Sequence, residues 1–123
     1  MGYRSDVAAL FYAEAEKDMP VIKLWLDDNF PMDTFSHAVR WFDRGMAFYE
    51  DNVKWYDSYP EIQAFDEARD KFIAMFCQGV EGAVKGAFEF LRVGENYDDV
   101  ESDYVGECDY LLDLKREIKM PWP

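Results

Sequence analysis

The segment from Ser58 to Phe76 does most to limit what this chain can fold into. Ile62, Phe65, Ala68, Phe72, Ile73 and Phe76 recur at intervals of three and four, which sets them on one face of a helix. A helix with one apolar stripe must bury it against another layer. Ser58 with Glu61 three residues later reads as a capping box, and Pro60 suits a first helical turn. The apolar spacing continues weakly through Val80, Ala83, Val84 and Ala87. Gly79, Gly82 and Gly86 each cost about 1 kcal/mol in a helix interior, so the helix is expected to end near Gly79.

The flanking segments supply the layer. Val7 to Tyr12 is a short apolar run that suits a buried strand. From Asp18 the period changes: Asp18 can cap, Pro20 fits a first turn, and Val21, Ile22, Trp25 and Leu26 mark a helix that Asn29 and Pro31 stop. Phe35, His37, Val39 and Trp41 alternate as a strand, and Asp43-Arg44-Gly45 can form a three-residue hairpin loop. The returning strand, Met46 to Tyr56, sets Ala47, Tyr49, Val53 and Trp55 on one side and Met46, Phe48 and Tyr56 on the other. Glu50-Asp51-Asn52 is then a bulge or, alternatively, a second hairpin. Phe88, Phe90 and Arg92 alternate as a further strand, and Tyr110, Leu112, Leu114 and Ile118 as the last one, which Pro121 breaks. The order is strand, helix, strand, strand, helix, strand, strand. It predicts an α+β fold: one domain over residues 1–123, with a mostly antiparallel sheet of about five strands and both helices on one face. This is the ferredoxin-like β-α-β-β-α-β plan with an extra strand.

With 123 residues, 50% of them hydrophobic and 18% aromatic, the chain has material for a core, and a folded rather than a disordered chain is expected. No apolar run approaches the ~20 residues needed to span a bilayer, and the N-terminus lacks the pattern of a secretory signal, so a soluble intracellular protein without membrane contact is expected. Asp6 stands where a myristoylation signal wants Ser or Thr. Cys77 and Cys108 fit free thiols in a reducing compartment better than a disulfide.

Charge carries the functional reading. The chain has 26 acidic and 13 basic residues, a formal net charge of −13. A fold of this mass exposes about 6,900 Å², or one net charge per ~530 Å². Duplex DNA carries about one per 100 Å² of its cylinder, so imitation of DNA would need the acids gathered on one face. Glu95, Asp98, Asp99, Glu101, Asp103, Glu107 and Asp109 form the only local block, with no Lys or Arg among residues 95–109. That block is the candidate acidic interaction face, since attraction to a basic partner needs no true mimicry. Its alternative is a solvated loop or a charged edge that discourages strand pairing.

Other chemistry fails on spacing. An EF-hand counted from Asp99 has Tyr104 where Gly is needed and Tyr110 where Glu is needed, and no metal site is expected. His37 has no ligand or triad partner beside it, which leaves only an acid–base pairing with a carboxylate distant in sequence. Cys77 lies on an apolar helix face and reads as core. The glycines at 79, 82 and 86 match no phosphate loop or dinucleotide fingerprint. The aromatics Trp41, Phe48, Tyr49, Trp55 and Tyr56 resemble an RNA-stacking sheet, but the acidic balance argues against direct nucleic-acid binding. Exposed rings remain candidates for a homodimer interface.

Three strings taken together resemble a family of small uncharacterised proteins of tailed bacteriophages and prophages. They are Met1 to Val7, Val53-Lys54-Trp55-Tyr56 with Tyr59-Pro60-Glu61, and Phe88 to Asp99. The chain departs from the family pattern in its Gly-rich residues 79 to 86. The resemblance implies an accessory protein acting in the bacterial host cytoplasm and carries no activity with it. Because Arg4, Lys54, Trp55 and Arg92 belong to the recurring strings and sit near strand ends, they are candidates for a pocket that takes a small anion or nucleotide. The plainer alternative is a set of ion pairs tying the sheet edge to the acidic segment.

The leading expectation is a non-enzymatic phage accessory protein that binds or inhibits a basic host or phage protein through its acidic face. The alternative is a small-ligand binder that sequesters an anion or nucleotide. An enzyme using dispersed carboxylates ranks last, and no cofactor is expected.

Overall fold

The computed structural model describes residues 3–78, 84–96, 98–106, 108–114 and 118–119. Five antiparallel strands form one open sheet: β1 (Ser5–Ala13), β2 (Val39–Phe42), β3 (Gly45–Val53), β4 (Gly86–Gly94) and β5 (Val100–Gly106), in the order β2-β3-β1-β4-β5. Reversed, and without β5, this is the 4-1-3-2 order of the ferredoxin-like plan, with β5 added outside β4. Three helices accompany it, α1 (Met19–Asn29), the single-turn α2 (Met32–Phe35) and α3 (Pro60–Phe76). β6 (Asp113–Leu114) and β7 (Ile118–Lys119) make a separate small ladder.

β1 is the middle strand and is buried on both faces, as its continuous apolar run requires. Val7, Ala9 and Phe11 point to the helices, while Ala8, Leu10 and Tyr12 point away from them. On the helix side Phe11 meets Phe30, Phe65, Phe72 and Phe88 at ring centroid distances of 5.0–5.9 Å. Ile22 and Leu26 of α1 and Phe65, Phe72 and Phe76 of α3 close this core. The opposite face is smaller and is covered by Cys108, Leu111 and Leu112 from the segment after β5. Gly45 stands opposite Tyr12 in the ladder, and a Cβ there would lie 2.1 Å from the Phe11 carbonyl oxygen, so only glycine fits.

Several boundaries differ from those the sequence suggests. Phe35 and His37 are not in a strand: Phe35 ends α2 and His37 lies in a 3-10 turn, Ser36–Ala38, before β2 begins at Val39. Pro31 is the N-cap of α2 instead of only ending α1, and the Phe35 ring fills the core through contacts with Phe48 and Phe65. The hairpin loop has two residues, since Phe42 pairs with Gly45. The bulge in β3 is present: Val7 pairs with Glu50 and Ser5 with Val53, which leaves an extra residue on β3, and Asn52 takes a φ of 52°. An extra residue inverts the alternation, so Val53 and Trp55 join Met46 and Phe48 on the helix face, not Ala47 and Tyr49.

No capping box forms at α3, where Tyr59 is the N-cap without a side-chain bond. The helix ends at Phe76, and the expectations on Gly79 and Gly82 lie outside the described residues, as do those on Met1, Gly2, Tyr97 and Pro121. Tyr110 to Ile118 is not one strand. The fifth strand of the sheet is instead the acidic segment Val100–Gly106, a charged edge of the kind that discourages further pairing.

Candidate functional site

Two clefts open on either side of Trp55. The first, of about 380 Å³, lies between β4, β5 and the N-terminal half of α3. The second, of about 780 Å³, lies between the end of β3, α2 and the start of α3. Trp55 lines both. Its ring packs against Phe35, Phe48, Phe65 and Phe90, which makes it a wall built into the core rather than a free stacking platform.

The first cleft is acidic. Asp57, Asp66, Asp99, Glu101 and Asp103 face two guanidiniums, those of Arg69 and Arg92, over an apolar floor that includes Phe88 and Phe90. Strand register assembles one wall, because Arg92 is opposite Glu101 and Phe90 is opposite Asp103. Arg92 donates to Asp99 from Nη2 to Oδ1 at 2.9 Å and from Nη1 to Oδ2 at 3.2 Å, to Glu101 at 3.0 Å and to Ser5 Oγ at 3.0 Å. Tyr3 donates its hydroxyl to Asp99 Oδ2 at 2.5 Å, and that hydroxyl accepts the Asn96 N–H. Arg92 first, then Tyr3, hold the Asp99 carboxyl below its ordinary pKa. Arg69 pairs with Asp66 and Asp70. Burial, with the charges of Asp57, Asp70 and Glu101, nevertheless raises the Asp66 pKa against the pull of Arg69. Asp57 and Asp103 have no cationic partner among the described residues.

The acidic block therefore does not act as one face. Asp99, Glu101 and Asp103 enter the cleft, but Asp109 lies on the opposite side of the sheet, where its Oδ2 is 2.6 Å from Arg44 Nη1. Glu95 accepts the backbone N–H of Arg4 at 2.8 Å. Asp98 sits in the turn before β5, and Glu107 lies outside the described residues. Asp57, Asp66 and Arg69 complete the cleft and were not legible as site residues, since on the sequence they are ordinary charges near the start of a helix. The three-residue spacing of Asp66 and Arg69 was the available signal.

The second cleft brings together three of the four residues expected in an anion pocket, Arg4, Lys54 and Trp55. Arg92 belongs to the first cleft and is committed to carboxylates. Arg4 donates from its guanidinium to the Asn52 carbonyl at 3.1 Å, and neither that guanidinium nor the Lys54 ammonium has a carboxylate partner among the described residues. His37 also lines this cleft, with Nε2 2.7 Å from Glu50 Oε1, which supplies the sequence-distant carboxylate.

A third constellation lies on the other face of the sheet. Glu89 is fully buried, accepts the Leu112 N–H at 3.0 Å and accepts a hydrogen bond from the Tyr12 hydroxyl, which in turn accepts the Asp109 N–H at 2.8 Å. Both cysteines are free thiols. Among the described residues no cluster of His, Cys, Asp or Glu is arranged to hold a metal ion. No helix among them is long and apolar enough to cross a membrane. The chain matches no protein-family model, no curated protein and no solved structure.

Proposed function

We propose that this is a non-enzymatic interaction protein that takes a basic segment of a protein partner into the acidic cleft beside Trp55. The setting that the resemblance implies is a bacterial cell infected by a tailed phage, with a host or phage protein as the partner. The observation that carries this reading is the cleft's unbalanced charge. Five carboxylates stand against two guanidiniums, and Asp57 and Asp103 are left without a cation over an aromatic floor. A Lys or Arg side chain of the partner would supply the missing charge to the carboxylates and lay its stem along Trp55 and the exposed edge of Phe90. The accessible surface, 7189 Å², is near the value expected for this mass, so the net charge spreads thinly and long-range attraction only steers the encounter. The same charge opposes binding to nucleic acid.

The test is capture of partners from host lysate on the tagged protein at low and high salt, beside a variant carrying Asp57→Asn and Asp103→Asn. Both substitutions leave the Arg92–Asp99 pair intact. A partner lost at high salt and lost by the variant supports the reading, since screening shortens from about 30 Å at 0.01 M to about 8 Å at 0.15 M. A partner held equally by both proteins at both salts rules the acidic cleft out as its binding site.

A further inference from the structure

The second cleft is lined by two cations, Arg4 and Lys54, whose side-chain nitrogens have no carboxylate partner among the described residues. Elsewhere Arg44, Arg69, Lys71 and Arg92 are all paired with carboxylates. Lys23 is paired too, and also lies over the Trp41 ring. Arg4 and Lys54 both line the cleft and come from two different strand ends. Arg4 comes from the residue before β1 and is anchored through its guanidinium to the Asn52 carbonyl, and Lys54 directly follows β3. The bulge brings them there: the extra residue at Asn52 turns the end of β3 so that its carbonyl meets Arg4 and so that Trp55 faces the core. Glu50 is hydrogen-bonded to His37 Nε2, and Glu61 is a second acid in the cleft, without a cationic partner among the described residues.

The lining also includes the partly exposed apolar and aromatic residues Val53, Trp55 and Tyr59, with Thr34 and Asn52 as further polar groups. The volume, about 780 Å³, suits an organic molecule rather than a bare inorganic ion. The geometry points to a binding site for a phosphate monoester, with the phosphate held by Arg4 and Lys54 and an apolar or aromatic body lying against Val53, Tyr59 and the edge of Trp55. Arg offers a planar fork to phosphate oxygens and Lys a compact charge, a pairing suited to a dianion. This site is separate from the acidic cleft, and either can fail without the other.

The probes are AMP, inorganic phosphate and adenosine, each titrated into the intact protein by calorimetry, with amide NMR shifts to locate the contact. AMP is expected to bind with shifts confined to the second cleft, inorganic phosphate more weakly at the same place, and adenosine more weakly than AMP. Arg4→Gln and Lys54→Met should each weaken AMP by roughly tenfold, Lys54→Arg should retain most of the binding, and Asp103→Asn should leave it unchanged. Glu61→Gln should tighten it, because it removes the unpaired like charge. Thermal melting of each variant separates lost binding from lost folding, and Lys54→Arg keeps the test valid if Lys54→Met is unstable. The proposal is overturned if neither AMP nor phosphate saturates by ~10 mM, or if AMP binds equally well after both charge-removing substitutions. It is equally overturned if the shifts fall outside the cleft.

Discussion

Arg92 grips Asp99 at two points, 2.9 and 3.2 Å, and thereby ties β4 to the turn that precedes the edge strand β5. The pair sits where Gly94 leaves room: a Cβ at that residue would fall 2.1 Å from Asp99 Oδ2 and 2.2 Å from the Tyr3 hydroxyl. Replacing Arg92 with Gln removes the partner of both Asp99 and Glu101, and should lower the melting temperature by several degrees. Asp99 also has a pH signature. Its folded pKa is depressed, so its contribution is present above the unfolded value of ~3.9 and is lost as pH falls through the lower folded value. Urea titrations from pH 6 down to about 2.5 should show a steeper acid loss in the native protein than in Arg92→Gln. Equal slopes would mean that the pair adds nothing.

Phe65 occupies the centre of the helix-side core, touching Phe11, Phe30, Phe35, Phe48, Trp55 and Phe90. Truncation to Ala leaves a cavity that the surrounding rings of the sheet and the helix side cannot fill, and should cost about 3–5 kcal/mol. Chemical denaturation measures this directly. A loss under about 1 kcal/mol would show that the aromatic cluster repacks.

What the sequence made legible was periodic and what it hid was not. The α3 stripe survives intact because a six-member repeat at helical spacing has one reading. The central strand does too, because a run buried on both faces has nowhere else to go. Phe35 and His37 misled because a short stretch of alternation also fits a helical turn followed by a 3-10 turn, and the core contacts of Phe35 decided between them. Glu89 reads as an outward residue on an alternating strand. It is buried because Leu111 and Leu112 return across that face, and a long-range cover leaves no trace in local pattern. The same limit explains the site. Charge counting found the acids of residues 95–109, but only folding shows that Arg92 and Arg44 pair with three of them and that Asp57 and Asp66 join others in the cleft.

The two thiols give an alkaline counterpart to the acid profile. Burial pushes Cys77 up to about 12, and burial with the Glu89 charge pushes Cys108 up to about 11. Unfolded thiols titrate near ~8.5, so above that pH the unfolded chain has released protons that the folded chain keeps. Stability should therefore fall between about pH 8.5 and the folded values. Urea midpoints at pH 8 and pH 10 should separate more in the native protein than in the double variant Cys77→Ala, Cys108→Ala. A native midpoint that does not move over this range would contradict the burial of both groups.

Tyr12 is the joint between the central strand and the segment that covers the second face. Its hydroxyl accepts the Asp109 N–H and donates to Glu89, whose other oxygen accepts the Leu112 N–H, so one phenol connects both ends of the cover. The Arg44 guanidinium carbon lies 4.9 Å from the Tyr12 ring centroid, and its Nη1 reaches Asp109, which clamps the same segment from above. Tyr12→Phe keeps the ring and removes only the oxygen. It leaves the Asp109 N–H and a buried carboxylate oxygen each short of a partner, at a cost of about 1–3 kcal/mol. The loss should be felt first by the cover, because the strand itself stays locked between β3 and β4. Cys108 reports on this: its thiol donates to the Phe88 and Val105 carbonyls and is released when residues 108–112 lift. In a Cys77→Ala background, the reaction of Cys108 with a thiol reagent at pH 8 should accelerate on Tyr12→Phe by a larger factor than global unfolding rates account for. Acceleration that merely tracks global stability would show that the cover and the sheet open together.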